Sequence, residues 1–343
     1  MASPNSFYSY INGFEKKLKK IELNQLSCSP YAKRYLHHLL QNSTYYLSIY
    51  AHVLNHAVHN ATLPVGQMTL LDYGSGNGLL GIFAKYAGFG KVYLCDIDAA
   101  FVEASQELST ILEEPISGFV TGGLKELLLQ HPATKPDVIV GTDVIEHIYD
   151  LNVFFDDLQR MNPQMISVFT TASNPDNPIK SASLKKLQIK DETVGGDPSD
   201  FALAGAEKHE AFVKIREQII RTAFPALTEN TIAALAVATR GLYKPAIIQA
   251  VNTFLIDGSM PVLPVGENTC HPLTGSFTER ILPICSYQKI YSTAGFNCRI
   301  YNGFYNPHAK GIKKIINPIL NMFVKILGRK IAPFITLKGT PII

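Results

Sequence analysis

The feature that most constrains this 343-residue chain is a change of hydrophobic period that repeats from Met68 to Ser173. Short apolar runs ending at glycine or an acid alternate with stretches whose apolar residues recur every three to four positions. Residues 68–78 (MTLLDYGSGNG) read as a strand running into a glycine turn, and 79–88 (LLGIFAKYAG) as the helix that follows. The pattern repeats with 91–98 (KVYLCDID) and 99–112 (AAFVEASQELSTIL), with the weaker strand 116–122 (ISGFVTG) and 124–130 (LKELLLQ), and with 136–144 (PDVIVGTDV) and 151–161 (LNVFFDDLQRM). It ends on 164–173 (QMISVFTTAS). Strands alternating with helices over about a hundred residues predict a doubly wound parallel sheet. With 46% apolar residues the chain has material for such a core.

The flanks read differently. Tyr31 to Val58 carries Tyr35, Leu39, Tyr46, Leu47, Tyr50, Val53, Leu54 and Val58 at helical spacing, with neither Gly nor Pro between Pro30 and Pro64. Residues 1–62 are therefore expected to form an N-terminal helical segment. Asn174 to Pro178 (NPDNP) closes the alternation, and residues 185–260 look helical throughout. The expected division is a cofactor-type core over 63–178, a helical insertion over 179–268 that covers the acceptor, and a return to the core over 269–343. In that last part 284–295 reads as a helix closed by Gly295, followed by strands at 296–305 (FNCRIYNGFY) and 332–339 (APFITLKG).

The turn Asp72-Tyr73-Gly74-Ser75-Gly76-Asn77-Gly78 is the strongest chemical signal. A chain passing sharply from strand to helix, with a ligand against its backbone, needs residues that tolerate positive φ and carry no side chain. In an open α/β sheet, ligands lie at the carboxyl ends of the strands where the strand order reverses. Asp96 ends the next strand, where a carboxylate accepts both hydroxyls of a ribose. Gly76, Gly78 and Gly81 also fit the dinucleotide spacing G-x-G-x-x-G, so a nicotinamide-linked oxidoreductase is the rival reading. Asp72 argues against it, because an acid two residues before the first glycine repels a pyrophosphate.

Three runs, LLDYGSGNG, LCDID and PDVIVGTDVIEHI, resemble successive motifs of the class I S-adenosylmethionine-dependent methyltransferases, most of all the branch containing the ubiquinone and menaquinone biosynthesis methyltransferases. STAGFNCRIYNGFY and PFITLKG resemble that family's last helix and its sixth and seventh strands. The resemblance covers roughly 63–175 and 280–343. It implies an α/β, Rossmann-like sheet of seven strands with the last antiparallel. It also implies S-adenosyl-L-methionine as cofactor. Gly74, Gly76 and Gly78, with Tyr73, Ser75 and Asn77 between them, would line its amino-acid part. Asp72 would orient its ammonium group directly or through water. Asp96 would hold the ribose, with Ile97 against the adenine and Gly123 nearby. Thr142 and Asp143 would flank the sulfonium. Many relatives carry an acid after the third strand, whereas this chain has Thr121-Gly-Gly-Leu124 there.

Transfer from a sulfonium needs alignment and exclusion of water, and a hydroxyl acceptor also needs a base. The resemblance offers His147 and Glu146 for that role, with a small organic acceptor methylated at oxygen. Asp143, Glu146 and His147 also share helical spacing and, with His209 or His271, form an alternative set for a hard cation such as Mg²⁺. A catalytically inactive scaffold of the same fold is the reading outside enzymology.

Charge is unevenly placed. Residues 281–343 contain no Asp or Glu and nine Lys or Arg, so the tail is +9 and residues 1–280 are −6. Within it, 307–331 combines Ile312, Ile315, Ile316, Ile319, Leu320, Phe323, Ile326 and Leu327 with six basic residues. Two readings stay open: an amphipathic helix packed on the sheet, or one lying on an anionic membrane or lipid-like acceptor. Pro318 predicts a break after Ile316. Five cysteines with no pair three apart argue against a disulfide framework and for a reducing cytoplasm. No basic stripe interleaved with aromatics runs through the core, so no nucleic-acid partner is expected. The N-terminus lacks an apolar signal-peptide core, and no uncharged apolar run approaches the ~20 residues of a membrane span.

Overall fold

The computed structural model describes residues 6–59, 61–196, 210–261 and 268–342. Three helices come first: α1 (Ile11–Leu18), α2 (Pro30–Gln41) and α3 (Ser43–Val58). The alternating region follows as β1 (Thr69–Tyr73), α4 (Leu79–Tyr86), β2 (Lys91–Asp96), α5 (Ala99–Ile111), β3 (Gly118–Thr121), α6 (Leu124–Gln130), β4 (Val138–Thr142), α7 (Leu151–Met161) and β5 (Ile166–Thr171). Next are α8 (Pro178–Thr193), α9 (Phe212–Ala223), α10 (Glu229–Ala238) and α11 (Lys244–Asp257), and last α12 (Ile284–Thr293), β6 (Phe296–Asn302), α13 (Lys313–Leu327) and β7 (Ile335–Pro341).

The strands form one sheet in the order β3-β2-β1-β4-β5-β7-β6. β1 pairs in parallel with β2 (Leu71 opposite Tyr93) and with β4 (Leu71 opposite Ile139). β7 is antiparallel to both β5 and β6. This is the expected Rossmann-like sheet of seven strands with the last antiparallel. Its order reverses between β1 and β4, so the ends of β1 and β2 and the loop after β4 meet at the switch point. Leu70, Leu71, Leu94, Val138, Ile139, Val140 and Val168 are buried, because a parallel strand covered on both faces has no solvent side.

The chain divides into two compact units. The first comprises residues 1–145, 152–171 and 284–343, and the second residues 146–151 and 172–283. In the second unit Ile219, Ile220, Ile232, Leu235, Ala236, Ile247 and Val251 make a separate core of α9, α10 and α11. Beside it Arg216, fully buried, forms an ion pair with Glu192 and donates from Nε to the carbonyl of Ala236 at 2.7 Å. Thr269 donates to the other Glu192 oxygen at 2.7 Å.

Two local expectations need correction. The helical run from Tyr31 to Val58 is broken at Asn42, whose amide reaches back to the carbonyl of His38, so a side chain competes with the backbone ladder. Conversely, Pro318 does not break α13. A proline there deprives only the carbonyl of Lys314, four residues earlier in an exposed first turn, of its helical partner.

Candidate functional site

The strand-to-helix turn after β1 depends on left-handed backbone. Gly74, Gly76 and Gly78 have φ of +66°, +52° and +76°. A Cβ on Gly78 would lie 2.7 Å from side-chain atoms of both Leu94 and Ser105, so the start of α4 packs directly on β2 and α5. The turn is pinned to β2 because the N–H groups of Gly74 and Ser75 both donate to the carbonyl of Cys95, at 2.8 and 3.1 Å.

Two buried carboxylates flank it. Asp72 accepts from the N–H of Gly81 at 2.8 Å through Oδ2, which ties the end of β1 to the first turns of α4. It is 1% exposed, and burial pushes its pKa up to about 7, against the Gly81 bond, with the nearby Asp96 adding to the rise. Asp96, at the end of β2, accepts from Gly76 N–H at 2.7 Å and from Asp98 N–H at 2.9 Å, one on each oxygen. Burial raises its pKa too, and those backbone bonds oppose the rise. A carboxylate has about four acceptor positions, so these backbone bonds do not fill them and room is left for a ligand donor. Ile97 stands 83% exposed, an apolar side chain with open space for a flat partner.

Gly123 begins α6 and donates to Glu126 at 2.8 Å. Glu126, two residues beyond Leu124, is folded back on the start of α6, its pKa lowered by that bond. Tyr73 packs against Phe154, with ring centroids 5.0 Å apart and the planes tilted by 48°. After β4, Thr142 is half-buried, and the exposed Asp143 takes φ +52° while its N–H donates to Thr170 at 3.0 Å.

The N-terminal helices contribute what sequence reasoning missed. The ring of Tyr35, on α2, lies 3.3 Å from where a Gly76 Cβ would stand. Asn77 donates to the carbonyl of Ala32, also on α2, at 3.1 Å. Burial raises the pKa of Tyr35, Tyr45, Tyr46 and Tyr50, and the charge of Asp143 adds to each rise. Tyr46 is pushed up to about 12, and its hydroxyl is 2.8 Å from Nε2 of His38. The only sequence signal for Tyr35 was its helical spacing, which a plain core face shares.

Glu146 and His147 fall in the second unit. Glu146 is buried, whereas His147 is half-buried with Nδ1 2.7 Å from the carbonyl of Phe277. A carbonyl only accepts, so Nδ1 carries a proton, and in the neutral ring the lone pair is on Nε2. Among the described residues no three His, Cys, Asp or Glu side chains gather as a metal site. His209, offered for the cation set, lies outside the described residues.

The glycine turn fits the amino-acid end of S-adenosylmethionine. Ser75 Oγ and Asn77 Oδ1 are buried there with no hydrogen-bond partner among the described residues, in the turn that the two acids flank. A ligand ammonium or hydroxyl would satisfy them.

Residues 46–205 match a family described as "Methyltransferase domain". A ribosomal protein L11 methyltransferase of Limosilactobacillus reuteri subsp. reuteri (strain JCM 1112) is 36% identical over 87 residues, 25% of this chain and 26% of that protein. The chain thus spans about a quarter of the curated relative it matches. Among solved structures, a mycolic acid cyclopropane synthase complexed with SAH and CTAB aligns over 97% of this chain and 94% of that one, at 14% identity and a TM-score of 0.41. A SAM-dependent methyltransferase from Agrobacterium tumefaciens aligns over 36% and 43%, at 16% identity and a TM-score of 0.29. Residues 46–205 thus carry the sequence pattern of a methyltransferase domain, and they supply five strands of a seven-stranded sheet that has the Rossmann-like class I methyltransferase fold.

Proposed function

We propose that the chain transfers a methyl group from S-adenosyl-L-methionine to a small organic acceptor, at an oxygen atom. The observation that carries this reading is the placement of Asp96, buried at the end of β2, beside a left-handed glycine turn at the switch point. Bound there, the cofactor supplies a methyl group on a positively charged sulfur, already electrophilic. Asp96 accepts the ribose hydroxyls, and Ile97 covers one adenine face, with Tyr73 and Gly123 at its border. Gly74, Ser75, Gly76, Asn77 and Gly78 cradle the amino-acid part. Asp72 acts on the ammonium group through its field, being too buried for wide contact. Thr142 and Asp143 face the sulfonium side, and Tyr35 excludes water from the turn. His147, with its Nε2 lone pair available, is the base that takes a proton from an acceptor hydroxyl, and Glu146 helps hold that segment. The run corresponding to α12 and β6 supports the quinone-biosynthesis branch, in which the acceptor is lipid-like.

Calorimetry with S-adenosylhomocysteine and with NAD tests the reading. The first should bind and the second should not. Nicotinamide binding would return the chain to the oxidoreductase reading, and no binding of either to the inactive scaffold. Asp96→Ala removes two charge-assisted hydrogen bonds of roughly 1.5–3 kcal/mol each, so affinity should fall at least about a hundredfold. Unchanged affinity would remove Asp96 from the site.

A further inference from the structure

α13 is turned inside out for a helix of a water-soluble fold. Such helices bury an apolar stripe and expose polar residues. Here the residues facing the body are Asn317 and Val324, which are buried, and Leu320 and Asn321, which are half-buried. Asn317 donates to the carbonyl of Asn306 at 2.7 Å. Asn321 accepts from the N–H of Tyr305 at 2.7 Å and donates to its carbonyl at 2.9 Å. The helix is thus held by polar bonds to the segment after β6, and Val324 is its only buried apolar side chain. The opposite arc carries Ile312, Ile315, Ile316, Ile319, Met322, Phe323, Ile326 and Leu327, every one exposed, with Ile312, Ile315 and Ile326 at 73, 69 and 69%. Contiguous apolar surface of this kind marks an interaction site.

We propose that this face of α13 docks on an anionic lipid surface. The charge around the arc selects that occupant. Exposed Lys310, Lys313, Lys314, Lys325 and Lys330 surround it, with Arg329 following the helix, and no acid occurs from 281 to the end of the chain. Apolar side chains that enter the acyl boundary, bordered by cations at headgroup level, are the makeup of an interfacial helix. No helix among the described residues is long and apolar enough to cross a membrane, so α13 lies in the interface plane. The polar bonds of Asn317 and Asn321 let it stay docked on the body while its apolar face is engaged. The inference stands independently of the proposed methyl transfer.

The chain contains no Trp, so Phe323→Trp places a single tryptophan, excited apart from the tyrosines, on the arc. With vesicles of phosphatidylcholine and phosphatidylglycerol its emission should shift to the blue and be quenched by brominated acyl chains. Sedimentation of the unaltered full chain should show binding about tenfold or more stronger than to phosphatidylcholine alone, falling with added salt. Ile319→Asp with Ile326→Asp should abolish binding and leave the thermal transition unchanged, since both positions face solvent. Three results would overturn the proposal: unshifted, unquenched emission; equal binding to neutral vesicles; or a vesicle-blind dimer that the double substitution turns into monomer, which would make a second copy the occupant.

Discussion

Asp72 should make cofactor affinity depend on pH near neutrality. Its carboxyl is buried and its pKa is pushed up to about 7. That value lies above the ordinary 3.8, so the carboxyl stabilises the ligand-free fold at low pH, and the contribution is lost as the pH rises through 7. A bound ammonium group reverses the preference, because an adjacent positive charge favours the carboxylate. Binding should therefore release a proton. With a pKa of about 7 the group is ionised in roughly one molecule in ten at pH 6 and nine in ten at pH 8. The affinity for S-adenosylhomocysteine should rise roughly tenfold over that range, or ~1.4 kcal/mol. Calorimetry in two buffers of different ionisation enthalpy measures both quantities, the affinity and the proton released. Asp72→Asn keeps an oxygen for the Gly81 N–H but has no proton to lose. Its affinity should be lower and level between pH 6 and 8. A level profile for the unaltered chain, or a slope that survives in Asp72→Asn, would refute the reasoning.

Two further outcomes concern stability. His52 is held neutral, its pKa pushed down to about 3 by burial and by His56, and its Nε2 lies 3.0 Å from the Thr336 hydroxyl. A depressed pKa stabilises the fold above the unfolded value of 6.5, and that contribution is lost as the pH falls toward 3. Between pH 7.5 and 4.5 roughly 2.7 kcal/mol should be lost on its account. Urea denaturation of His52→Gln should show a correspondingly smaller loss, and an equal loss would assign the acid sensitivity elsewhere. In the second unit, Arg216→Met strands the buried Glu192 and should cost about 3–5 kcal/mol, whereas Arg216→Met with Glu192→Leu should recover most of it. Equal destabilisation of the two variants, read by hydrogen exchange across α9 and α10, would mean that the charge pair is not the cause.

The sequence by itself determined the sheet and the turn. Alternation of period over 68–173 places five strands and their helices, because a parallel strand buried on both faces needs a continuous apolar run and its helix a stripe. Gly74, Gly76, Gly78 and Asp96 were legible because positive φ, close approach and a strand-end carboxylate each require a particular residue type at a fixed spacing. What only the tertiary structure decided depends on elements far apart in the chain. Tyr35 lies over Gly76 because α2 packs against the turn, forty residues away, and helical spacing alone does not name the neighbour. Glu126 comes back to the end of β3 only because its carboxylate accepts from the N–H of Gly123, at the start of α6. The orientation of α13 was equally hidden. Its apolar arc was plain in the sequence, but an arc does not say which way it points. Asn317 and Asn321, by bonding to the segment after β6, turned it outward.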